Sequence, residues 1–328
     1  MSKSPVIDPR QPVRLIPVHI AKPWGQEIWY TGMEQRGESK VLIDDAEISL
    51  SAYLADNPAA LTNTTPVLLL KVLDPAAAEV TGDLYFEVHE HKQEVYVVTH
   101  IDTVAWPDGV GGIRFGMCQD KRRTFTSTES FRAAYLEAVQ RYESIRRQID
   151  EQGVAVGAQV EAGARAHMES FAAMRELRVA DVVQVPTWTP HALQHGVRVV
   201  EFQTPTYERF IISFAQQVQT QRHWDSAHAI ASMHIDEPAA ETIEYVADGV
   251  ERIARFDDFN VWRVALHIAA PLRLPAELPY AVCMCLTGAV QVGALNLEAE
   301  QACFVPHVAL PQMNLTGSGQ LLIAAPKL

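Results

Sequence analysis

Leu84-Tyr85-Phe86-Glu87-Val88-His89-Glu90-His91-Lys92-Gln93-Glu94-Val95-Tyr96-Val97-Val98 is the stretch on which the reading of this 328-residue chain turns. Residues 84–89 and 94–98 are expected as strands, and the two-residue strand period puts Glu87 and His89 on one face. A tight turn over 90–93 would fold the second strand back and set Glu94 beside that face. Two carboxylates and an imidazole turned inward are costly to bury unless a cation neutralises them. A divalent ion does so, and mixed nitrogen and oxygen ligation suits zinc. The fourth ligand must come from elsewhere, and the best supplier is His191 in Val185-Pro186-Thr187-Trp188-Thr189-Pro190-His191-Ala192-Leu193. The plainer alternative makes His89 and His91 surface histidines on a hairpin. It leaves the hairpin carboxylate and the distant Pro-His unexplained.

These residues also carry a likeness. The stretch resembles the metal-binding hairpin of cupins and, more narrowly, that of type I mannose-6-phosphate isomerases. That family's Gln-Val-His is matched by Glu87-Val88-His89, and its Lys-x-Glu before an aromatic strand by Lys92-Gln93-Glu94-Val95-Tyr96. Its glycine-threonine-x-His-Ala segment is similar to Thr189-Pro190-His191-Ala192. A generic cupin places its glutamate four or five residues after the second histidine. Glu94 lies only three beyond His91, so the isomerase alignment, with His91 in the turn, fits better. Lys22-Pro23-Trp24-Gly25 resembles the Pro-Trp-Gly signature near the family's start, with a tryptophan packed beside a glycine turn as the structural alternative. Thr204-Pro205-Thr206-Tyr207-Glu208-Arg209-Phe210 resembles its Thr-Tyr-Arg segment, with one extra residue before Arg209. Glycine is usual in cupins where Trp188 stands.

Composition narrows the partners. Lys and Arg total 27 against 40 Asp and Glu, a formal charge of −13, which argues against nucleic acid and anionic membranes. A local basic cluster can still hold a small anion. No apolar leader opens the chain and no run reaches the ~18 residues of a spanning helix, so a cytoplasmic protein is expected. Cys118, Cys283, Cys285 and Cys303 have no Cys-x-x-Cys spacing and read as reduced thiols.

Along the chain, two units are expected, over 1–215 and 216–328. Residues 1–20 are poorly periodic and read as an extended arm. Val67-Leu68-Leu69-Leu70-Lys71-Val72-Leu73-Asp74-Pro75 is a nearly continuous apolar run, as in a strand buried on both faces. Lys71 inside it must pair with a carboxylate or point into a polar cavity. Ser127 or Thr128 caps a helix with Phe131, Tyr135, Ala138, Tyr142, Ile145 and Ile149 on one face. A second helix is expected around 164–178, with Met168, Phe171 and Met174 inward. This helical insertion, about 120–178, separates the two halves of the metal site. Residues 216–230 read as a helical link. Strand-like runs then follow at 261–269, 280–286, 289–293, 303–306 and 320–324, with turns at Thr287-Gly288 and Thr316-Gly317-Ser318-Gly319. No metal hairpin recurs there.

The resemblance implies a mostly β fold of two cupin jelly-roll domains, the first carrying the helical insertion and one Zn2+, the second degenerate. It implies interconversion of mannose 6-phosphate and fructose 6-phosphate through an enediolate. Glu87, His89, Glu94 and His191 would be the metal ligands. Lys71 and Lys92 would bind or polarise the sugar phosphate, Trp24 would border it, and Arg209 would stabilise the enediolate or the phosphate. Glu201 in Val199-Val200-Glu201-Phe202-Gln203 is one candidate proton carrier, and a metal-bound water is the other. Glu87 departs from the family's neutral glutamine and adds a negative charge to the ligand set. Two further readings stand beside this one: a cupin isomerase of an unphosphorylated sugar, and a non-catalytic sugar-binding bicupin.

Overall fold

The computed structural model describes residues 8–62, 66–213, 224–267 and 272–327. The fold is mostly β, as expected, and its strands stack in three layers. The middle layer is a six-stranded antiparallel sheet in the order Val182–Val185, Glu94–Ile101, Val197–Gln203, Leu69–Pro75, Gly25–Trp29, Val18–Lys22. One outer layer is five-stranded, in the order Ala172–Leu177, Gly111–Met117, His191–Leu193, Phe86–Val88, Phe210–Ser213. Tyr96, Val98, Val183 and Val199 from the middle sheet pack against Val88, Ile113, Leu193 and Ile211 from the outer one. On the far side, Leu70, Val72, Val95, Val97 and Phe202 pack against Val261, Val282, Phe304 and Leu322 of the third sheet. The Lys71 strand is therefore covered on both faces, which is why it reads as an almost unbroken apolar run.

The expected hairpin is corrected. Phe86–Val88 and Glu94–Ile101 do not pair with each other; they lie in facing sheets, and residues 89–93 cross between them. Each strand finds its partners far along the chain: His191–Leu193 and Phe210–Ser213 for the first, Val182–Val185 and Val197–Gln203 for the second. Alternation dictates which side chains face inward but leaves the pairing partner open. Inward faces of two opposed sheets converge as well as one face of a hairpin would.

The third sheet has eleven strands, nine of them in one path from Glu244–Ala247 to Ala46–Ser49. The supposed extended arm is part of it: Val13–Ile16 pairs with Ala302–Val305 on one side and Lys40–Ile43 on the other. Strands from both sides of residue 215 thus share one sheet, and the two-unit division remains a proposal. The supposed turns at 287–288 and 316–319 lie inside two long strands, Ala281–Val292 and Asn314–Pro326, paired along their length. A bulge between Cys285 and Thr287 bends the first. There Gly288 takes a φ of +76°, and a Cβ on it would sit 2.2 Å from the Ser318 carbonyl oxygen. The glycines mark a close backbone approach rather than a chain reversal.

The long helix Thr128–Asp150 starts at Ser127 in a capping box with Ser130. Its Phe131, Tyr135 and Tyr142, with Met168 and Phe171 from the second helical segment, enter the core behind the five-stranded sheet. That second helix spans Ala158–Glu169, earlier than expected, and Ala172–Leu177 is an edge strand with Met174 turned outward. Of the expected link, Ser226–Ser232 is helical, and 216–223 lies outside the described residues. Among the described residues no helix is long and apolar enough to cross a membrane.

Candidate metal centre

Glu87 and His191 are direct cross-strand neighbours in the five-stranded sheet, so their side chains stand together on one face. His89 continues the line from Glu87, two residues on. Glu94 opens its strand in the opposed sheet and meets them from across the sandwich. His89 Nε2 lies 3.5 Å from Glu87 Oε1 and 3.6 Å from Glu94 Oε1, while His191 Nε2 lies 3.2 Å from Glu94 Oε2. The imidazole centroids are 5.1 Å apart. One donor atom each from Glu87, His89 and His191 falls within 4.8 Å of the others. His91 sits exposed in the link, away from the cluster.

The cluster fits a divalent cation on two grounds. Both ring nitrogens of His89, Nε2 of His191 and Oε2 of Glu87 are buried without a hydrogen-bond partner. Buried polar atoms are rarely left so, and each needs an explanation. The tautomer also suits ligation. His191 Nδ1 lies 2.9 Å from the Thr189 carbonyl oxygen and donates to it, which leaves the Nε2 lone pair facing the cluster. Burial, with the Lys92 ammonium, pushes His89 well below its ordinary pKa, so the ring is neutral. Burial works against the Glu94 carboxylate, but the Lys92 ammonium foremost outweighs it and holds its pKa well below the usual range. Lys92 Nζ lies 2.5 Å from Glu94 Oε1, and the Tyr96 hydroxyl donates to Glu94 Oε2 at 2.6 Å.

Beside the cluster opens a cavity of about 70 Å³, several times the roughly 10–15 Å³ that one water needs. Its walls include Glu87, Glu94, Lys92, Lys71, Glu201, Arg209 and Trp24, so most of the sequence-predicted residues border one space. Lys71 and Glu201 are cross-strand neighbours with Nζ 3.2 Å from Oε1. Burial alone would lower the Lys71 ammonium, but the Glu201 and Glu27 carboxylates hold it above its ordinary value. Arg209 lies over the Tyr85 ring, 4.6 Å from its centroid. Trp24 is buried at 1 % exposure and belongs as much to the core as to the cavity wall. His195 lies outside the cluster, stacked on Trp106 and held by Asp83 at 2.7 Å.

Glu27, Trp29 and Arg36 line the cavity and escaped the sequence reading, while Lys22, Tyr207 and Glu208, also in its walls, were quoted there within motifs but given no role. Glu27 bonds Lys22 at 3.3 Å and accepts from the Trp29 indole at 2.7 Å. Arg36 covers the Tyr207 ring at 3.8 Å. Glu208 accepts from the amides of Glu90 and His91 and so anchors the link between the two sheets. The alternation of Glu27 and Trp29 within Gly25–Trp29 was the available signal.

Burial pushes the Glu201 carboxyl up to about 8, against Lys71, which pulls it down. In the unfolded chain it titrates near 4.5, so between those values the folded state holds an extra proton. Stability from this group is then full at low pH and is lost as pH rises from about 5 to 8. With chelator present, the urea midpoint of the wild type should fall relative to that of Glu201→Gln across this interval. Parallel profiles would mean that Glu201 is already ionised in the folded protein.

Comparison with solved structures shows the fold. Mannose 6-phosphate isomerase from Bacillus subtilis aligns with a TM-score of 0.67 at 16 % identity, over 95 % of this chain and 99 % of its own. A variant of phosphomannose isomerase from Salmonella typhimurium aligns at 0.71 and 14 %, over 97 % of this chain and 100 % of its own. A zinc-bound mannose 6-phosphate isomerase aligns at 0.70 and 13 %, with the same coverage. No sequence-family description matches the chain, and no curated protein sequence does.

Proposed function

We propose that this chain is a metal-dependent aldose–ketose isomerase, interconverting mannose 6-phosphate and fructose 6-phosphate. The observation that carries the reading is the convergence of Glu87, His89, Glu94 and His191 beside a cavity walled by Lys92, Lys71, Glu201 and Arg209. Likeness of fold to mannose 6-phosphate isomerases, one of them zinc-bound, supports it. The four ligands would hold one Zn2+, which when bound polarises an oxygen of the sugar.

The chain's own residues supply the rest. Isomerisation moves a proton between adjacent carbons, and the obstacle is negative charge growing on oxygen. Lys92 and Arg209 present cations to that charge. Glu201, whose raised pKa brings it near neutrality, takes the proton from one carbon and returns it to the other, while the hydroxyl proton passes from the oxygen of the first carbon to that of the second, so that carbonyl and hydroxyl exchange places. Lys71, beside Glu201, keeps that carboxyl in place.

One observation favours a second reading, an unphosphorylated sugar. Of five basic side chains around the cavity, Lys22, Lys71, Lys92 and Arg36 each lie within 3.3 Å of a carboxylate. Among the described residues only Arg209 is left to meet a phosphate, and six glutamates share the walls. An assay of mannose 6-phosphate, free mannose and lyxose, with and without chelator, separates the readings. Turnover of mannose 6-phosphate that chelation abolishes is expected. Turnover of the free sugars alone would move the assignment to the second reading, and turnover unaffected by chelator would remove the metal from the chemistry.

A further inference from the structure

We infer that Trp188 is a positioning residue for the metal centre, locking the backbones that carry His89 and His191 to the strand beside Arg209. Trp188 stands where a glycine would be usual, and it adopts the backbone that glycine favours, with φ at +57°. Bulky residues are uncommon there, and such conformations persist only where the surroundings over-determine them. Here they do. The Trp188 amide donates to the His89 carbonyl at 2.7 Å, and the Trp188 carbonyl accepts from the His234 amide at 2.8 Å.

The ring completes the lock. It lies parallel to Phe210, at 7° and 5.8 Å between centroids, and the His228 imidazole meets both rings edge-on. Phe210 follows Arg209 in the chain and is in register with Val88, between Glu87 and His89. One residue, three positions before His191, thus bonds the backbone of one ligand and stacks on the strand next to another. Trp188 is not among the residues lining the cavity, so it acts through the ligands. A metal site needs its donors held within about 0.5 Å, and four ligands drawn from three separate segments need such a tie.

The inference rests on the metal reading, and the test separates the two. Zn2+ is titrated against a competing chelator into wild type, Trp188→Gly, Trp188→Phe and Phe210→Leu, with melting curves of each in excess chelator. Trp188→Gly, which permits the backbone angle but removes the ring, should bind Zn2+ about tenfold more weakly or worse, and Trp188→Phe should stay within about threefold of wild type. Phe210→Leu removes the other half of the stack while leaving the sequence of the 186–191 loop unchanged, and it should weaken binding as Trp188→Gly does. It decides the matter if Trp188→Gly does not fold. Wild-type affinity in Trp188→Gly or Phe210→Leu overturns the inference, as does equal loss in Trp188→Gly and Trp188→Phe. A wild type that binds no Zn2+ defeats the metal reading instead.

Discussion

Lys92→Met is expected to lower turnover about 10²- to 10³-fold while leaving one metal ion per chain, the size of loss seen when a single stabilising donor is taken from a dry site. Lys92 is buried at 7 % exposure, and its ammonium touches Glu94 on the cavity wall. It is therefore a fixed positive charge where oxygen would carry growing negative charge. The metal should stay, because the change frees a Glu94 oxygen from a competitor. Steady-state kinetics and metal content of the same preparation check both halves. Undiminished turnover would take Lys92 out of the mechanism. Metal lost together with turnover would show that it serves by orienting Glu94.

Lys71→Met is expected to destabilise the metal-free protein by about 3–5 kcal/mol at pH 9, the range for removing one partner of a buried pair. Glu201 is buried at 1 % exposure, and Lys71 lies directly across from it. Stripped of the ammonium, its charge has no compensation above the pH where it ionises. The penalty should shrink as pH falls to 6, because Glu201, no longer pulled down by the Lys71 ammonium, takes up its proton at a higher pH than in the wild type, where it does so at about 8. Lys71→Met combined with Glu201→Leu should recover most of the loss, since an apolar pair of similar volume removes the stranded charge altogether. Urea unfolding of the single and double variants at pH 6 and pH 9 measures this. A single variant equally stable at both values would show that the pair does not carry a buried charge.

The inward side chains of the metal cluster were legible because strand alternation is local: Glu87, His89 and Glu94 declare their faces within a dozen residues. Lys71 was legible for the opposite reason, as a charge in a run that excludes charges. The pairing of strands was not legible. Val13–Ile16 is four residues long, too short for a period, and one of its two partners lies at the other end of the chain. Gly288 and Gly319 looked like turn residues because a turn and a close strand crossing ask the same thing of a backbone, absence of a Cβ. Arg36 carries no sequence pattern that sets it apart from a solvated charge. What marks it is the cavity it borders, and that space exists only once two sheets face each other.

The strand Val13–Ile16 also orders events during synthesis. Arg14 bonds the side chain of Gln301, 287 positions downstream. At about 5–20 residues per second, the ribosome needs on the order of 15–60 s to deliver that partner. For that interval Val13–Ile16 and Lys40–Ile43 can form only the beginning of a sheet with one edge bare, and nascent-chain chaperones have something to hold. Stopping translation near residue 215 would leave that edge bare for good, a template on which truncated copies could pair with one another.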